Sequence, residues 1–189
     1  MNKKVKIVEI GPRDGFQNVK EFIPTEVKLE IIDKLVDSGY SKIQITSFVS
    51  PKAIAQMRDS AIITKTVLER YEGVEFFALV PNFYGAKAAV EAGLKEITPV
   101  MSLSLSHNMA NVKRTHEESI EELKKIRDAY PDIKITQDIA TAFGCPFEGE
   151  MPVEALLELI GKIRNLGIHA LYDLSGPRYT SYPTAVQLH

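Results

Sequence analysis

An arginine and an aspartate stand side by side, Arg13 and Asp14, in the run Gly11-Pro12-Arg13-Asp14-Gly15 that follows an apolar, β-branched stretch. Aspartate is a hard oxygen ligand suited to Mg2+ or Mn2+. Arginine is a permanent cation that can neutralise a developing enolate or hold a carboxylate through two parallel hydrogen bonds. An isolated Arg-Asp dipeptide is more often a surface ion pair or a loop cap. Its place directly after an apolar strand is what favours chemistry here. Other side chains of chemical interest are His107, Asp138, Cys145 and Glu148. A lone loop histidine is usually a solvent-exposed hydrogen-bonder, and a single cysteine beside a proline is usually a buried, inert thiol.

These residues must be positioned by the elements around them. Val5–Ile10 reads as a first strand, β-branched and closed by Gly11-Pro12. Thr25 is placed to cap a helix to about Ser38, with Val27, Ile31 and Leu35 at helical spacing and Gly39 as its stop. Strands are expected at Lys42–Ser47, Glu75–Val80, Glu96–Ser102 and Ile133–Ala140. Helical periodicity runs from about Pro51 to Tyr71, from Tyr84 to Ala92, and from Pro152 to Leu166. Ser104 to Arg114 reads as a polar loop. Thr115-His-Glu-Glu118 forms a capping box that opens a helix to about Tyr130. His169–Tyr172 starts a sixth strand, and the stretch after it reads as loop or tail.

Strands alternating with helices imply a parallel sheet with right-handed crossovers. A doubly wound nucleotide-binding sheet would carry G-x-G-x-x-G after its first strand. Here charges occupy that turn. The alternative is a TIM barrel, whose active site lies at the C-terminal ends of its strands. The expected fold is therefore α/β, an incomplete TIM barrel of about five βα units and the start of a sixth.

The totals set outer bounds. The chain has 189 residues, 44% hydrophobic and 25% charged, with a formal net charge of −2. Those values describe a globular domain and argue against nucleic acid or an anionic membrane surface as the main partner. One cysteine excludes an internal disulfide and fits a reducing compartment, and no N-terminal apolar run reads as a signal or a span. The expected location is the cytoplasm.

Several ordered segments carry a family resemblance. Glu9-Ile-Gly-Pro-Arg-Asp-Gly-Phe-Gln-Asn18 resembles the opening signature of hydroxymethylglutaryl-CoA lyases, and Ile43-Gln-Ile-Thr-Ser-Phe-Val-Ser-Pro-Lys52 resembles their second strand and loop. Leu79-Val-Pro-Asn82, Glu91-Ala-Gly93 and Ala142-Phe-Gly-Cys-Pro-Phe-Glu-Gly149 follow in family order. The resemblance covers about residues 4 to 171, and motifs in series are far more specific than one. It implies a metal-dependent retro-Claisen cleavage of 3-hydroxy-3-methylglutaryl-CoA to acetyl-CoA and acetoacetate. On that reading Asp14 is a Mg2+ or Mn2+ ligand, Arg13 and Gln44 are catalytic positions, and Gln17 is a cofactor-binding position. His107 is nominated as a cofactor-binding position by its place in the loop Ser104-Leu-Ser-His-Asn108, not by the resemblance.

The sequence departs from the family pattern in three ways. Gln44 stands where the family has a catalytic glutamate; it keeps the shape but cannot take a proton. Leu105 stands where the family has an acid. The later His-x-His pair, asparagine and catalytic cysteine loop have no counterpart. Cys145 is not that cysteine. Residues 172–189 instead resemble the N-terminal segment of oxygen-independent coproporphyrinogen oxidases, in the run Ser-Gly-Pro-Arg-Tyr-Thr-Ser-Tyr-Pro. The expected organisation is a partial lyase barrel over 1–171 and a tail of different origin. A barrel ending near its sixth strand keeps open edges, so self-association is expected. The alternatives are a non-catalytic barrel piece that binds a partner, or a related Claisen-type lyase or synthase with another acyl-CoA.

Overall fold

The computed structural model describes residues 6–172. The unusual tail, residues 173–189, lies outside them. In chain order the elements are α1 (Gly11–Gln17), α2 (Thr25–Asp37), β1 (Lys42–Ser47), a 3-10 turn (Ala55–Met57), α3 (Ser60–Arg70), β2 (Glu75–Val80), α4 (Phe83–Glu91) and β3 (Glu96–Ser102). They continue with α5 (Leu105–Val112), α6 (His116–Ala129), β4 (Lys134–Ala140), β5 (Gly144–Cys145), β6 (Gly149–Glu150), α7 (Val153–Arg164) and β7 (His169–Tyr172). Five strands form a parallel sheet in the order β1-β2-β3-β4-β7, and β5 pairs with β6 as a small antiparallel ribbon. Sequential neighbours joined through helices are what right-handed βαβ repeats produce.

The described residues fall into two compact units, 6–80 with 84–97, and 81–83 with 98–172. The first has its core in Ile32, Ile43, Ile45, Ile63, Val67 and Val80. These are β-branched side chains from strands and the inner faces of α2 and α3. The second has its core in Met101, Leu123, Ile126, Ile139, Leu159 and Ile163, from β3, α6, β4 and α7. Gly39 and Gly93 end α2 and α4 at φ values of +92° and +103°, where a β-carbon is disfavoured.

Four sequence expectations are corrected. Over its described residues, 6–10, the first strand is reduced to a single bridge, Glu9 to Ile43, with Glu9 N donating to Lys42 O at 3.0 Å and Gln44 N to Glu9 O at 2.7 Å. Ile7 is 68% exposed and Val8 and Ile10 are also exposed, so burial does not hold an extended run there. Thr25 is the first helical residue rather than the cap; Pro24 occupies that place and Thr25 Oγ1 donates to Asp59 Oδ2 at 2.9 Å. The buried stripe of α2 is Lys28, Leu29 and Ile32, one residue round from the expected face, and Val27 is 42% exposed. The stretch read as a polar loop after Ser104 is the helix α5. Its cap is Ser104, whose side chain accepts from His107 N, and its end is Lys113 in the left-handed region at φ 56°.

One polar cluster ties the segment after α1 to the rest of its unit. Lys28 Nζ donates to both Asp59 oxygens at 2.9 and 3.0 Å and to Gln56 O, and lies 4.4 Å from the Phe22 ring centre. Gln56 Nε2 donates to Val19 O and Glu21 O, and Gln56 Oε1 accepts from Ile23 N. Lys28, Gln56 and Asp59 are all buried. A buried ion pair is expensive to break from one side, because the orphaned charge stays out of water. Asp59→Ala is therefore expected to lower unfolding free energy by about 3–5 kcal/mol in urea titrations. The paired replacement Lys28→Met with Asp59→Leu should cost clearly less.

Candidate active site

The short helix α1 places its side chains through its start. Pro12 sits in the first turn, where its fixed φ suits a helix and its missing N–H costs nothing. Ile10 has no capping side chain; instead Glu9 Oε1 accepts from Gly11 N at 2.5 Å. This start turns Arg13 back towards β1. Arg13 Nε donates to Gln44 Oε1 at 2.6 Å, and Arg13 Nη1 to Asp14 Oδ1 at 2.7 Å. Gln17 Nε2 donates to the same Asp14 oxygen at 3.2 Å, and Asn18 Nδ2 to Asp14 O at 2.7 Å.

Four of the five sequence-nominated residues thus form one chain of hydrogen bonds, Gln44–Arg13–Asp14–Gln17. It grades from inside to outside. Gln44 is 3% exposed, the Arg13 side chain 13% and the Asp14 side chain 52%. The buried end is neutral and fixed; the outer end is a carboxylate facing water. Arg13 Nη2 has no partner among the described residues, so one edge of the guanidinium remains for a ligand. Arginine presents planar donors in a fixed fork, which makes this arrangement an oxyanion or carboxylate binder.

The cluster does not by itself fit a divalent cation. Asp14 is the only carboxylate of the four, and its Oδ1 already accepts from Arg13 and Gln17. Among the described residues no group of three or more His, Cys, Asp or Glu side chains is placed to hold a metal ion.

His107 belongs to the second unit, and its surroundings are described separately. On α5, its Nδ1 lies 2.7 Å from Ser102 Oγ at the end of β3, and its ring centre is 6.0 Å from that of Phe147. Cys145 is buried, its thiol donating to Ser104 Oγ at 3.0 Å. Glu148 Oε1 accepts from Ser106 N at 2.8 Å. The Ser106 side chain and backbone, then the Ser104 side chain, hold the Glu148 carboxyl below the usual carboxylate range. Thr141, just past β4, takes φ 56°, an uncommon conformation for a β-branched residue, and its Oγ1 accepts from Ser104 N. His116 Nε2 lies 2.9 Å from Ser102 O. Asp138 is half-buried on β4, His169 is exposed, and Leu105 is exposed on the first turn of α5. His189 lies outside the described residues. Sequence reading missed the Ser102–His107 pair and the β5–β6 ribbon. The serine cap at Ser104, three residues before His107, was the available signal for both the helix and the pair.

Comparison with known proteins decides the family. The HMGL-like family profile matches residues 4–174. The chain belongs to the HMGL-like family. The hydroxymethylglutaryl-CoA lyase YngG of Bacillus subtilis is 40% identical over 171 residues, covering 89% of this chain and 57% of that protein. The human mitochondrial hydroxymethylglutaryl-CoA lyase is 37% identical over 171 residues, covering 89% and 52%. Among solved structures, hydroxymethylglutaryl-CoA lyase from Pseudomonas aeruginosa superposes with a TM-score of 0.85 at 30% identity, covering 92% of this chain and 58% of that one. An HMG-CoA lyase from Acinetobacter baumannii, in complex with coenzyme A and 3-methylmalate, gives 0.83 at 35%, covering 87% and 54%. This HMGL-like chain spans about half the length of the curated relatives it matches, and its five-stranded parallel sheet is part of a TIM barrel.

The Arg13–Gln44 contact has a measurable weight. Gln44→Leu leaves the Arg13 Nε–H without its buried acceptor, and a loss of about 1–3 kcal/mol of stability is expected in denaturant titration. Gln44→Glu supplies an acceptor of the same shape and should lose much less. The Glu148 carboxyl has its pKa depressed by folding, so its contribution is present above the unfolded value and fades as pH falls through the folded one. Glu148→Gln should accordingly flatten the acid limb of a stability–pH profile.

Proposed function

We propose that this chain carries the Arg13–Asp14 portion of a retro-Claisen lyase site for 3-hydroxy-3-methylglutaryl-CoA, and that alone it works weakly or not at all. The observation that carries this reading is the Gln44–Arg13–Asp14 hydrogen-bond chain, which holds a guanidinium with one free edge beside a solvent-facing carboxylate. In such a cleavage the substrate's tertiary hydroxyl loses its proton and becomes a carbonyl. The C–C bond breaks, and its electron pair passes to the thioester enolate, which is then protonated to acetyl-CoA. Arg13 would bind the enolate oxygen through Nη2, where a fixed donor opposes charge as it develops. Gln44 would keep the guanidinium from turning away. Gln17 would hold the Asp14 carboxylate in place.

The proton-accepting role has no candidate in this cluster apart from Asp14, because an amide such as Gln44 does not take a proton at working pH. Mg2+ or Mn2+ enters this reading only with ligands beyond the described residues, Asp14 contributing one carboxylate oxygen. His107, nominated as a cofactor-binding position, is assigned no step here. The reading places the protein in the cytoplasm, in line with a single cysteine; among the described residues no helix is long and apolar enough to cross a membrane.

Acetyl-CoA release from 3-hydroxy-3-methylglutaryl-CoA in the presence of Mg2+ tests the assignment. A slow rate is expected, falling by about 100-fold or more in Arg13→Met, as when a fixed oxyanion donor is removed. Asp14→Ala should fall similarly, and an unchanged rate would remove Asp14 from the mechanism.

The neutral, buried Gln44 favours a second reading, a Claisen-type enzyme for another acyl-CoA, which a panel of hydroxyacyl-CoA thioesters distinguishes by a faster turnover than the parent substrate. The exposed Ile7, Val8 and Ile10 beside the lone Glu9–Ile43 bridge favour association through this edge. Sedimentation velocity should show concentration-dependent oligomers that Ile7→Lys weakens. A cooperative monomer at all concentrations would contradict this.

A further inference from the structure

The β5–β6 ribbon carries its tip, Pro146 to Glu148, onto the start of α5, and several separate contacts hold it there. Glu148 Oε1 accepts from Ser106 N at 2.8 Å. Phe147 N donates to Cys145 Sγ at 3.3 Å, and that thiol in turn donates to Ser104 Oγ at 3.0 Å. The Phe147 ring stands against the His107 ring at 6.0 Å between centres. The base of the ribbon and the tip differ sharply. Cys145, Ser102 and Ser104 are buried, whereas Phe147 is 62% exposed and Pro146 and Glu148 are exposed too. The ribbon has only two ladder pairs, and Gly149 at φ +77° turns the chain at its return. A segment with few buried apolar contacts opens at a small fraction of the global unfolding cost.

The histidine under this tip has a defined tautomer. Ser102 Oγ is buried, and His107 Nδ1 is its one side-chain hydrogen-bond neighbour. A buried hydroxyl proton needs an acceptor, so Ser102 donates to Nδ1. The ring proton then sits on Nε2, which has no partner among the described residues.

We infer that the β5–β6 ribbon is a strap latched by Glu148 on the first turn of α5, and that its release uncovers the His107 Nε2–H donor and the Cys145 thiol. The opened site offers a hydrogen bond to a carbonyl or carboxylate oxygen, with exposed Phe147 as an apolar neighbour. The latch stands on contacts wholly within the second unit, so it holds or fails independently of the role given to Arg13 and Asp14.

The chain's only cysteine reports on the strap directly. At neutral pH the full chain would be labelled with a small aromatic disulfide, and amide exchange followed at Ser106 and Phe147. Glu148→Gln is expected to raise the labelling rate about fivefold, with matching acceleration at both amides and a shallow urea dependence. Glu148→Ala should behave alike, and Glu121→Gln, an exposed carboxylate on α6, should match the parent. An unchanged rate in both Glu148 variants overturns the latch, as does labelling whose urea dependence equals that of global unfolding. Nitrogen-15 spectra of the parent should show His107 protonated on Nε2 and not on Nδ1; the reverse tautomer overturns the donor assignment.

Discussion

The hydrogen bond from Arg13 Nε to Gln44 Oε1 is the constraint on which the site depends. A guanidinium on a seven-residue helix would otherwise sweep a wide arc, and its charge would be spread over water. Gln44 is fixed because β1 is buried along nearly its whole length and paired with β2. The strand therefore sets the amide, the amide sets the guanidinium, and the guanidinium sets Asp14. The order matters energetically. Gln44, the innermost member, is neutral, and the largely buried Arg13 is paired with Asp14, so the site avoids the penalty of an uncompensated buried charge.

The second constraint is what keeps α1 in reach of β1. Its incoming end is joined to the sheet at Glu9, through two backbone hydrogen bonds, and by the Lys6–Glu75 ion pair. Its outgoing end is tied by Gln56 to Val19, Glu21 and Ile23, and Gln56 O in turn receives the Lys28 ammonium. A helix too short to be stable in isolation is thus held from both ends by polar contacts rather than by a broad apolar face. Pro12 is its one buried residue, which is consistent with that division of labour.

Much of this was legible in the residues. The alternation of β-branched runs with helical periods gave the parallel sheet. Glycines gave the stops after α2 and α4, and the Thr115–Glu118 box gave the start of α6. The ordered motifs pointed to the family, and four nominated site residues converge in space. The failures have separate physical origins. Val5–Ile10 has strand composition, but composition does not say whether a ladder will have partners, and among its described residues one bridge remains. Ser104 to Val112 is polar because its helix is capped and half-exposed, which mimics a loop when hydrophobicity alone is read. Lysine usually faces solvent, and nothing in the type of Lys28 marks it as buried. Its spacing of four from Ile32 places it on the buried stripe, and its partner Asp59 lies too far along the chain for periodicity to reveal. The β5–β6 ribbon is too short for any alternating pattern.

The central claim is that a buried amide immobilises the Arg13 guanidinium. Arginine side-chain Nε–H resonances report this most directly, since a free guanidinium exchanges its Nε proton rapidly with water. The account predicts that Arg13 Nε–H is shifted and slow to exchange in the parent protein, and becomes fast when residue 44 loses its acceptor. An Arg13 Nε–H that exchanges as rapidly as the fully exposed arginines, with Gln44 intact, would contradict it.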